Sequence, residues 1–205
     1  ADAVYEVTAV IDGKILEWDG HVKRLERSLK ELDMKFPISE TELLDIHFEL
    51  IKKNTLKEGL IYLQVTRGED DRSFDYPDES VKPTLVLFTQ VKSLAESNIA
   101  KTGLKVISVP DMRWGRRDIK TVQLLAPSMC KMMAKKKNKD DAWMIQDGFI
   151  TEGTSNNAYI ITKDNVLITR NLSNDILAGV TRRSILRYAN CLLYTSDAAD
   201  EGWCV

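Results

Sequence analysis

Residues 114–125 read WGRRDIKTVQLL and place one lysine, Lys120, between a charged turn and the apolar start of a helix. Before this stretch, residues 105–110 alternate like a strand, and after it residues 124–133 carry apolar side chains at helical spacing. Lys120 is therefore predicted on a connection between two rigid elements, which is where catalytic groups collect. Taken alone, the pattern fits a solvated surface lysine equally well.

The composition indicates a soluble globular protein with one large domain or two small ones. Its 205 residues are 43% hydrophobic and 29% charged, which is enough for a substantial core. The net charge of −2 gives no basic surplus, so a small phosphorylated ligand is favoured over nucleic acid. No run approaches the roughly 20 apolar residues of a membrane helix. Three cysteines without metal-ligand spacing favour a reducing cytoplasm and predict no metal site.

Both ends of the chain are predicted to be artificial. The first residues, ADAVYEV, begin without Met on a strand already under way, which predicts that something precedes them in the parent protein. Residues 191–201, CLLYTSDAADE, resemble a translated transposase sequencing adapter. We therefore predict that residues 191–205 are a non-native tail and that the fragment stops inside a domain, at a helix ending near Asn190. A native C-terminal tail is the alternative.

The N-terminal part is predicted to open with a β-hairpin whose strands cover residues 4–11 and 14–18. Asp19 is predicted to cap the helix that follows. On this helix His21 and Arg24 are three residues apart and share one side. Arg24 is thus held at a fixed place, although an ordinary solvated helix arginine fits the pattern too.

The remaining helix-capping and linker signals in the sequence predict two α+β units. Residues 1–92 are predicted as an N-terminal domain that is incomplete at its start, with a helix that begins at a Ser39–Glu42 capping box. The polar residues 93–103 are predicted as a linker, and residues 104–190 as a second domain that is incomplete at its end.

The second unit contains two stretches that suit ligand binding. A predicted strand runs into the polar loop TEGTSNN, residues 151–157, which carries Glu152. Further on, a helix is entered through Gly179 and Thr181, and a helix start of this kind offers free backbone N–H groups to a phosphate. Taken alone, Glu152 also fits a surface glutamate beside a glycine turn.

Six motifs, taken in order, resemble the pyridoxal-phosphate transaminases of fold type IV, and among them the D-amino-acid transaminases most. The resemblance covers essentially residues 1–190. It implies a two-domain α+β fold, pyridoxal 5′-phosphate as the cofactor, amino-acid and 2-oxo-acid substrates, and a homodimer when the chain is complete. The motifs lie at residues 4–7, 21–25, 64–72, 118–120, 151–157 and 177–181.

The resemblance also implies a role for individual residues. Lys120 matches the lysine whose amine condenses with the cofactor aldehyde as a Schiff base and moves the proton between substrate and cofactor. Glu152 matches the carboxylate that keeps the pyridine nitrogen protonated. The other cofactor contacts are assigned to Arg24, Val180 and Thr181 for the phosphate and to Leu177 for the ring face. The family closes its phosphate site with a further Ser/Thr loop, expected past Asn190, so the chain as given is expected to be a poor enzyme.

Substrate recognition is where the match is looser. Tyr5 and Arg72 match residues that hold the substrate carboxylate in D-specific enzymes, where an Arg-x-His element is lent by the partner subunit. Phe74 stands where the histidine is expected, and Tyr5 alone also fits core packing. The predicted reaction transfers an amino group between a D-amino acid and a 2-oxo acid such as 2-oxoglutarate.

Three alternatives remain open at this point. A branched-chain L-amino-acid transaminase would share Lys120 and Glu152 but hold the carboxylate differently, and the Arg72 loop argues against it. A lyase of the aminodeoxychorismate type would use the same cofactor to eliminate pyruvate. The third alternative is a truncated, non-catalytic fragment that folds poorly or only binds a partner.

Overall fold

The computed structural model of the protein describes residues 2–192, and residues 193–205, most of the predicted tail, lie outside the described part. The chain forms two compact units. One contains the described residues up to Lys101 together with Ile119–Val122, and the other contains Thr102–Asp118 and the described residues from Gln123 onward. Each unit mixes helices and strands, which confirms the predicted α+β class. None of the helices in residues 2–192 is long and apolar enough to span a bilayer.

The first unit is built on a four-stranded antiparallel sheet in the order β2-β1-β3-β4. The first strand pairs with the third along its whole length. Asp12 and Gly13 form the hairpin turn, both with positive φ, which is the backbone that a tight two-residue hairpin requires. The strands are β1 (Ala3–Ile11), β2 (Lys14–Ile15), β3 (Glu58–Thr66) and β4 (Thr84–Val91).

The chain turns into its first helix earlier than predicted. The return strand β2 stops at Ile15, and α1 (Trp18–Glu31) follows at once. Glu17 takes the N-cap position in the left-handed region, with φ 52° and no side-chain cap. Asp19 instead lies in the first turn, where its charge suits the helix dipole. The predictions of a strand through residue 18 and of Asp19 as the cap are therefore wrong.

The core of the first unit lies between its sheet and the helices α1 and α2 (Glu40–Lys53). Leu25 and Leu29 of α1 and Leu43 of α2 cluster with Val4 and Leu63 of the sheet, all 2% exposed or less. The predicted capping box at the start of α2 is present, with reciprocal hydrogen bonds between Ser39 and Glu42. The amphipathic spacing of both helices thus gives the packing that the sequence predicts.

The second unit is built on a three-stranded sheet with β6 in the middle. The strands β5 and β6 are parallel, α4 connects them, and β7 pairs antiparallel with β6. Cys130 and Ala134 of α4 pack against Met144 of β6, and all three side chains are fully buried. The elements of this unit are β5 (Val106–Pro110), α4 (Leu125–Lys136), β6 (Asp141–Gln146), β7 (Phe149–Gly153), the hairpin β8 (Tyr159–Ile161) and β9 (Leu167–Thr169), and α5 (Val180–Leu192). The short helix α3 (Asn98–Thr102) precedes them and lies almost wholly in the first unit.

Truncation of Leu29 tests this core. Leu29→Ala should lower the free energy of unfolding by about 2 to 5 kcal/mol, because it removes buried methyl groups and leaves a cavity between α1 and the sheet. Phe48→Ala is the control: it removes a larger side chain, but one that is 50% exposed on α2, so we expect a change of about 0.5 kcal/mol or less. Urea unfolding followed by circular dichroism measures both. Equal losses would contradict the placement of the core.

Candidate active site

Lys120 belongs to the first unit, where its backbone is held from two sides. Tyr5 of β1 donates its backbone N–H to the carbonyl of Lys120 at 3.0 Å, and the N–H of Lys120 lies 3.3 Å from the hydroxyl oxygen of Ser28 on α1. Val4 and Thr121 form an antiparallel bridge next to these bonds. The segment Ile119–Val122 therefore extends the sheet locally and fixes the point from which the lysine side chain leaves the backbone.

The amine of Lys120 lies over an aromatic ring. Its Nζ atom is 4.2 Å from the ring centroid of Tyr5, which is within the range of a cation–π contact. Tyr5 stacks on Tyr62 with centroids 5.6 Å apart, and Tyr62 stacks on Phe88 at 4.8 Å. Three neighbouring strands thus present a continuous aromatic row beside the lysine. Of the predicted site residues, Lys120 and Tyr5 are brought into contact.

Arg24 is locked into a buried cluster with Glu6 and His21. Its Nε and Nη2 atoms donate to the two carboxylate oxygens of Glu6 at 2.8 and 2.7 Å, and His21 Nδ1 lies 2.7 Å from Glu6 Oε2. The Glu6 side chain is only 3% exposed. Burial alone would raise the pKa of Glu6, but the hydrogen bonds and charges of Arg24 and His21 hold that pKa below its usual range. The guanidinium therefore has a fixed position, as the helix spacing of Arg24 predicted.

Glu152 lies at the end of β7 in the second unit and is 6% exposed. Its Oε2 atom accepts from the Asn157 amide at 3.0 Å and from the backbone N–H of Leu177 at 3.2 Å. Its Oε1 atom accepts from Nη1 of Arg113. Burial raises the pKa of Glu152, and the Arg113 guanidinium opposes that rise. The predicted pair of Glu152 and Leu177 is thus directly connected.

The predicted phosphate contacts of the second unit stand at the start of α5. This helix begins at Val180, which is buried, and Thr181 in its first turn is exposed. The first backbone N–H groups of a helix have no partner within it and carry the positive end of its dipole. The Asn157 amide also donates to the carbonyl of Leu177 at 3.0 Å, which ties the segment before the helix to the Glu152 loop.

Arg72, the predicted carboxylate contact, lies in the exposed loop between β3 and β4 of the first unit. Its guanidinium carbon is 5.1 Å from the ring centroid of Phe74, whose side chain is 92% exposed. The structure therefore places this element on an open surface, whereas Tyr5 lies within the sheet.

Sequence reasoning missed the residues that hold Glu152 and Lys120 in place. Arg113 joins Glu152 to Asp111, whose side chain is fully buried. The spacing DMR at residues 111–113 was the available signal, because it lets an arginine fold back on an aspartate two residues earlier. The contribution of Ser28 to Lys120 had no such signal, since 92 residues separate the two.

The fold and these side chains define an α+β protein of the fold type IV class, with a fixed lysine, a buried arginine cluster and a buried carboxylate beside a helix start. The chain belongs to the class IV amino-transferase family, whose model matches residues 3–197. This confirms the resemblance drawn from the six motifs.

Two relatives and two solved structures show how far this likeness reaches. The chain is 35% identical over 188 residues to the D-alanine aminotransferase of Staphylococcus aureus strain MSSA476 and 37% identical over 186 residues to that of Bacillus licheniformis. These alignments cover 92% and 91% of the chain but only 66% and 65% of the relatives, so the chain spans about 65% of their length.

The solved structures are more distant in sequence. The branched-chain amino acid aminotransferase of Escherichia coli matches with a TM-score of 0.84 at 20% identity, covering 93% of the chain and 66% of that structure. A 4-amino-4-deoxychorismate lyase assigned in Legionella pneumophila matches with a TM-score of 0.78 at 23% identity, covering 92% and 69%. At these identities the likeness establishes the shared fold.

The Glu6 cluster gives a pH-dependent prediction. At neutral pH, Glu6→Gln should lower the free energy of unfolding by about 3 to 5 kcal/mol, because it leaves the buried Arg24 charge without its partner. The folded pKa of Glu6 is depressed, so the wild-type advantage is present above the unfolded pKa and is lost as the pH falls through the folded one. Urea unfolding at a series of pH values should show the two proteins converging in acid. Glu49→Gln, which disrupts an exposed pair with Lys53, is the control and should behave as wild type. A gap that does not depend on pH would contradict this account.

Proposed function

We propose that the protein is a pyridoxal-phosphate-dependent transaminase that moves an amino group between a D-amino acid and a 2-oxo acid such as 2-oxoglutarate. The observation that carries the proposal is the placement of Lys120, whose backbone is fixed by β1 and α1 and whose amine lies over Tyr5. Membership of the class IV amino-transferases and 35–37% identity to D-alanine aminotransferases support the reaction and the substrate class.

The chemistry of the available side chains fits pyridoxal 5′-phosphate. Lys120 offers an amine for the aldehyde, and Glu152 offers a buried carboxylate with N–H partners on both oxygens for the ring nitrogen. For the phosphate, the chain offers Arg24, which Glu6 holds in place, and the N–H groups at Val180 and Thr181. Leu177 is proposed as the apolar contact of the ring face.

When bound, the cofactor supplies an aldehyde that captures an amino group and a ring that accepts the electrons of the broken Cα–H bond. Lys120 would hold the cofactor through its aldehyde group, and its amine, when free, would carry a proton at Nζ. Glu152 is proposed to keep a proton on the ring nitrogen, since a neighbouring carboxylate favours the cation. Tyr5 keeps one side of the Lys120 amine covered by an aromatic ring.

The finer assignments follow from the same proposal. Tyr5 and Arg72 are proposed to hold the substrate carboxylate, with Arg72 acting across a homodimer interface. The cysteine usage supports a cytoplasmic location. The proposal keeps an N-terminal domain over residues 1–92, a linker over 93–103 and a cofactor-binding domain over 104–190. Within the last range, Ile119–Val122 are grouped with the first compact unit.

The two alternative functions, branched-chain transaminase and aminodeoxychorismate-type lyase, are compatible with the same fold but have less support. The solved structures named for these two reactions are 20–23% identical to the chain, against 35–37% for the D-alanine aminotransferases. The loop that carries Arg72 favours a D-amino-acid transaminase over a branched-chain L-amino-acid transaminase. Comparison of D-alanine, L-leucine and 4-amino-4-deoxychorismate as substrates separates the three.

Covalent trapping tests the role of Lys120. We expect that pyridoxal 5′-phosphate, mixed with the completed protein and reduced with borohydride, remains attached to one lysine, because reduction fixes the bond between the amine and the aldehyde carbon. Proteolysis and mass spectrometry should locate the added mass on Lys120. Lys120→Ala should lose the label and any transaminase activity, whereas the control Lys131→Ala should keep both. A label on other lysines with Lys120 unmodified would refute the assignment.

Enantiomer preference tests the substrate class. In coupled assays of the completed protein with 2-oxoglutarate, D-alanine should react faster than L-alanine and L-leucine. Arg72→Ala should raise KM for every amino acid, because it removes a donor to the carboxylate that all of them share. Asp70→Ala, in the same exposed loop, is the matched control and should leave KM unchanged. A clear preference for L-leucine would move the protein to the branched-chain transaminases.

A further inference from the structure

The carboxylate of Glu152 is surrounded by N–H donors alone. Among the described residues its three hydrogen-bond partners are the Arg113 guanidinium on Oε1 and the Asn157 amide and Leu177 backbone N–H on Oε2. A protonated carboxyl group would need an acceptor for its O–H, and these partners offer none. The arrangement therefore suits the ionised form, although Glu152 is only 6% exposed and burial opposes ionisation.

Arg113 is the one cation among these partners, and a second carboxylate fixes its position. Its Nε and Nη2 atoms donate to Asp111 at 3.0 and 2.7 Å. The Thr151 hydroxyl oxygen lies 2.7 Å from the same carboxylate, and the Asp111 side chain is fully buried. With Nε and Nη2 held in this way, the planar guanidinium directs its third nitrogen, Nη1, at Glu152.

The charges around Glu152 act in opposite directions. Arg113 favours the carboxylate, whereas Asp111 disfavours it through like-charge repulsion. Arg117 also approaches Asp111, with Nη1 3.6 Å from Asp111 Oδ2 and 3.4 Å from Asp175 Oδ1, and its charge partly offsets that of Asp111. Without the cation between them, the like charge of Asp111 would further disfavour the ionised form of Glu152.

We propose that Arg113 is a positioning residue that keeps Glu152 ionised and in one orientation through its own pairing with Asp111. This inference rests on the proposed function for its purpose, since a carboxylate meant for a protonated ring nitrogen must itself be unprotonated. It adds a residue that acts through Glu152, the residue proposed to contact the ring nitrogen. Asn157 carries no charge but helps to orient the Glu152 carboxylate, because its amide donates both to Glu152 and to the Leu177 carbonyl.

The experiment is a carbon NMR titration of the cofactor-free chain labelled with ¹³C at the glutamate carboxyl carbons. The Glu152 signal is assigned by its absence in Glu152→Gln. In Arg113→Gln the midpoint of the Glu152 titration should rise by roughly one pH unit or more, the usual effect of losing an adjacent opposite charge. In Arg113→Lys, which keeps a positive charge, the midpoint should lie between the wild-type and Arg113→Gln values. Arg170→Gln removes a partly exposed arginine of the same unit and should leave the midpoint at its wild-type value.

A second pair of variants covers the case in which the buried Asp111, left without its cation, prevents folding. Asp111→Asn and Asp111→Asn/Arg113→Gln differ only in Arg113, and the midpoint should again be higher in the double variant. An unchanged midpoint in folded variants overturns the proposal, and so does loss of the folded circular dichroism signal in both Arg113→Gln proteins, which would assign Arg113 a purely structural role. Because no cofactor is used, the titration tests this inference separately from the proposed function. A completed protein that titrates as expected but fails to bind pyridoxal 5′-phosphate would refute the proposed function while retaining this inference.

Discussion

The backbone hydrogen bond from Tyr5 to the carbonyl of Lys120 is the contact that positions the lysine proposed as the catalytic residue. It attaches a segment more than a hundred residues away to the edge of β1. The pleat of that strand then sorts its neighbours, because successive side chains point to opposite faces. Val4 and Glu6 are buried on the face that packs against α1, and Tyr5 lies on the other face, beneath the Lys120 amine. One strand thus serves both the lysine and the arginine cluster.

The two buried glutamates are treated differently by their surroundings. Glu6 receives two hydrogen bonds from one arginine and has a histidine alongside, so its pKa is lowered in spite of burial. Glu152 shares its arginine with Asp111, and its pKa is raised. The Glu6 cluster therefore resembles a permanent structural ion pair. The charge of Glu152 therefore depends on Arg113, which opposes the effects of burial and of the Asp111 charge.

Local signals in the sequence predicted local features. The alternation of β1, the capping box at Ser39 and the apolar face of α1 all appear as predicted, because each depends on residues only a few positions apart. The helix start at Trp18 was missed because Glu17 adopts a left-handed backbone that its residue type rarely takes. The pairing of Arg113 with Glu152, 39 residues apart, depends on how β5 and β7 flank β6, and no short pattern records that.

The fold alone cannot determine the substrate, because proteins named for different reactions share it at 20–23% identity. Substrate choice must therefore come from side chains at the edge of the fold, and Arg72 in its exposed loop is the first candidate. An arginine in open water binds a carboxylate weakly, since both groups stay well hydrated. Arg72 becomes selective only if another surface covers it and excludes water. The proposed homodimer would supply that surface. Dimer formation and the proposed enantiomer preference would then both depend on the position of Arg72.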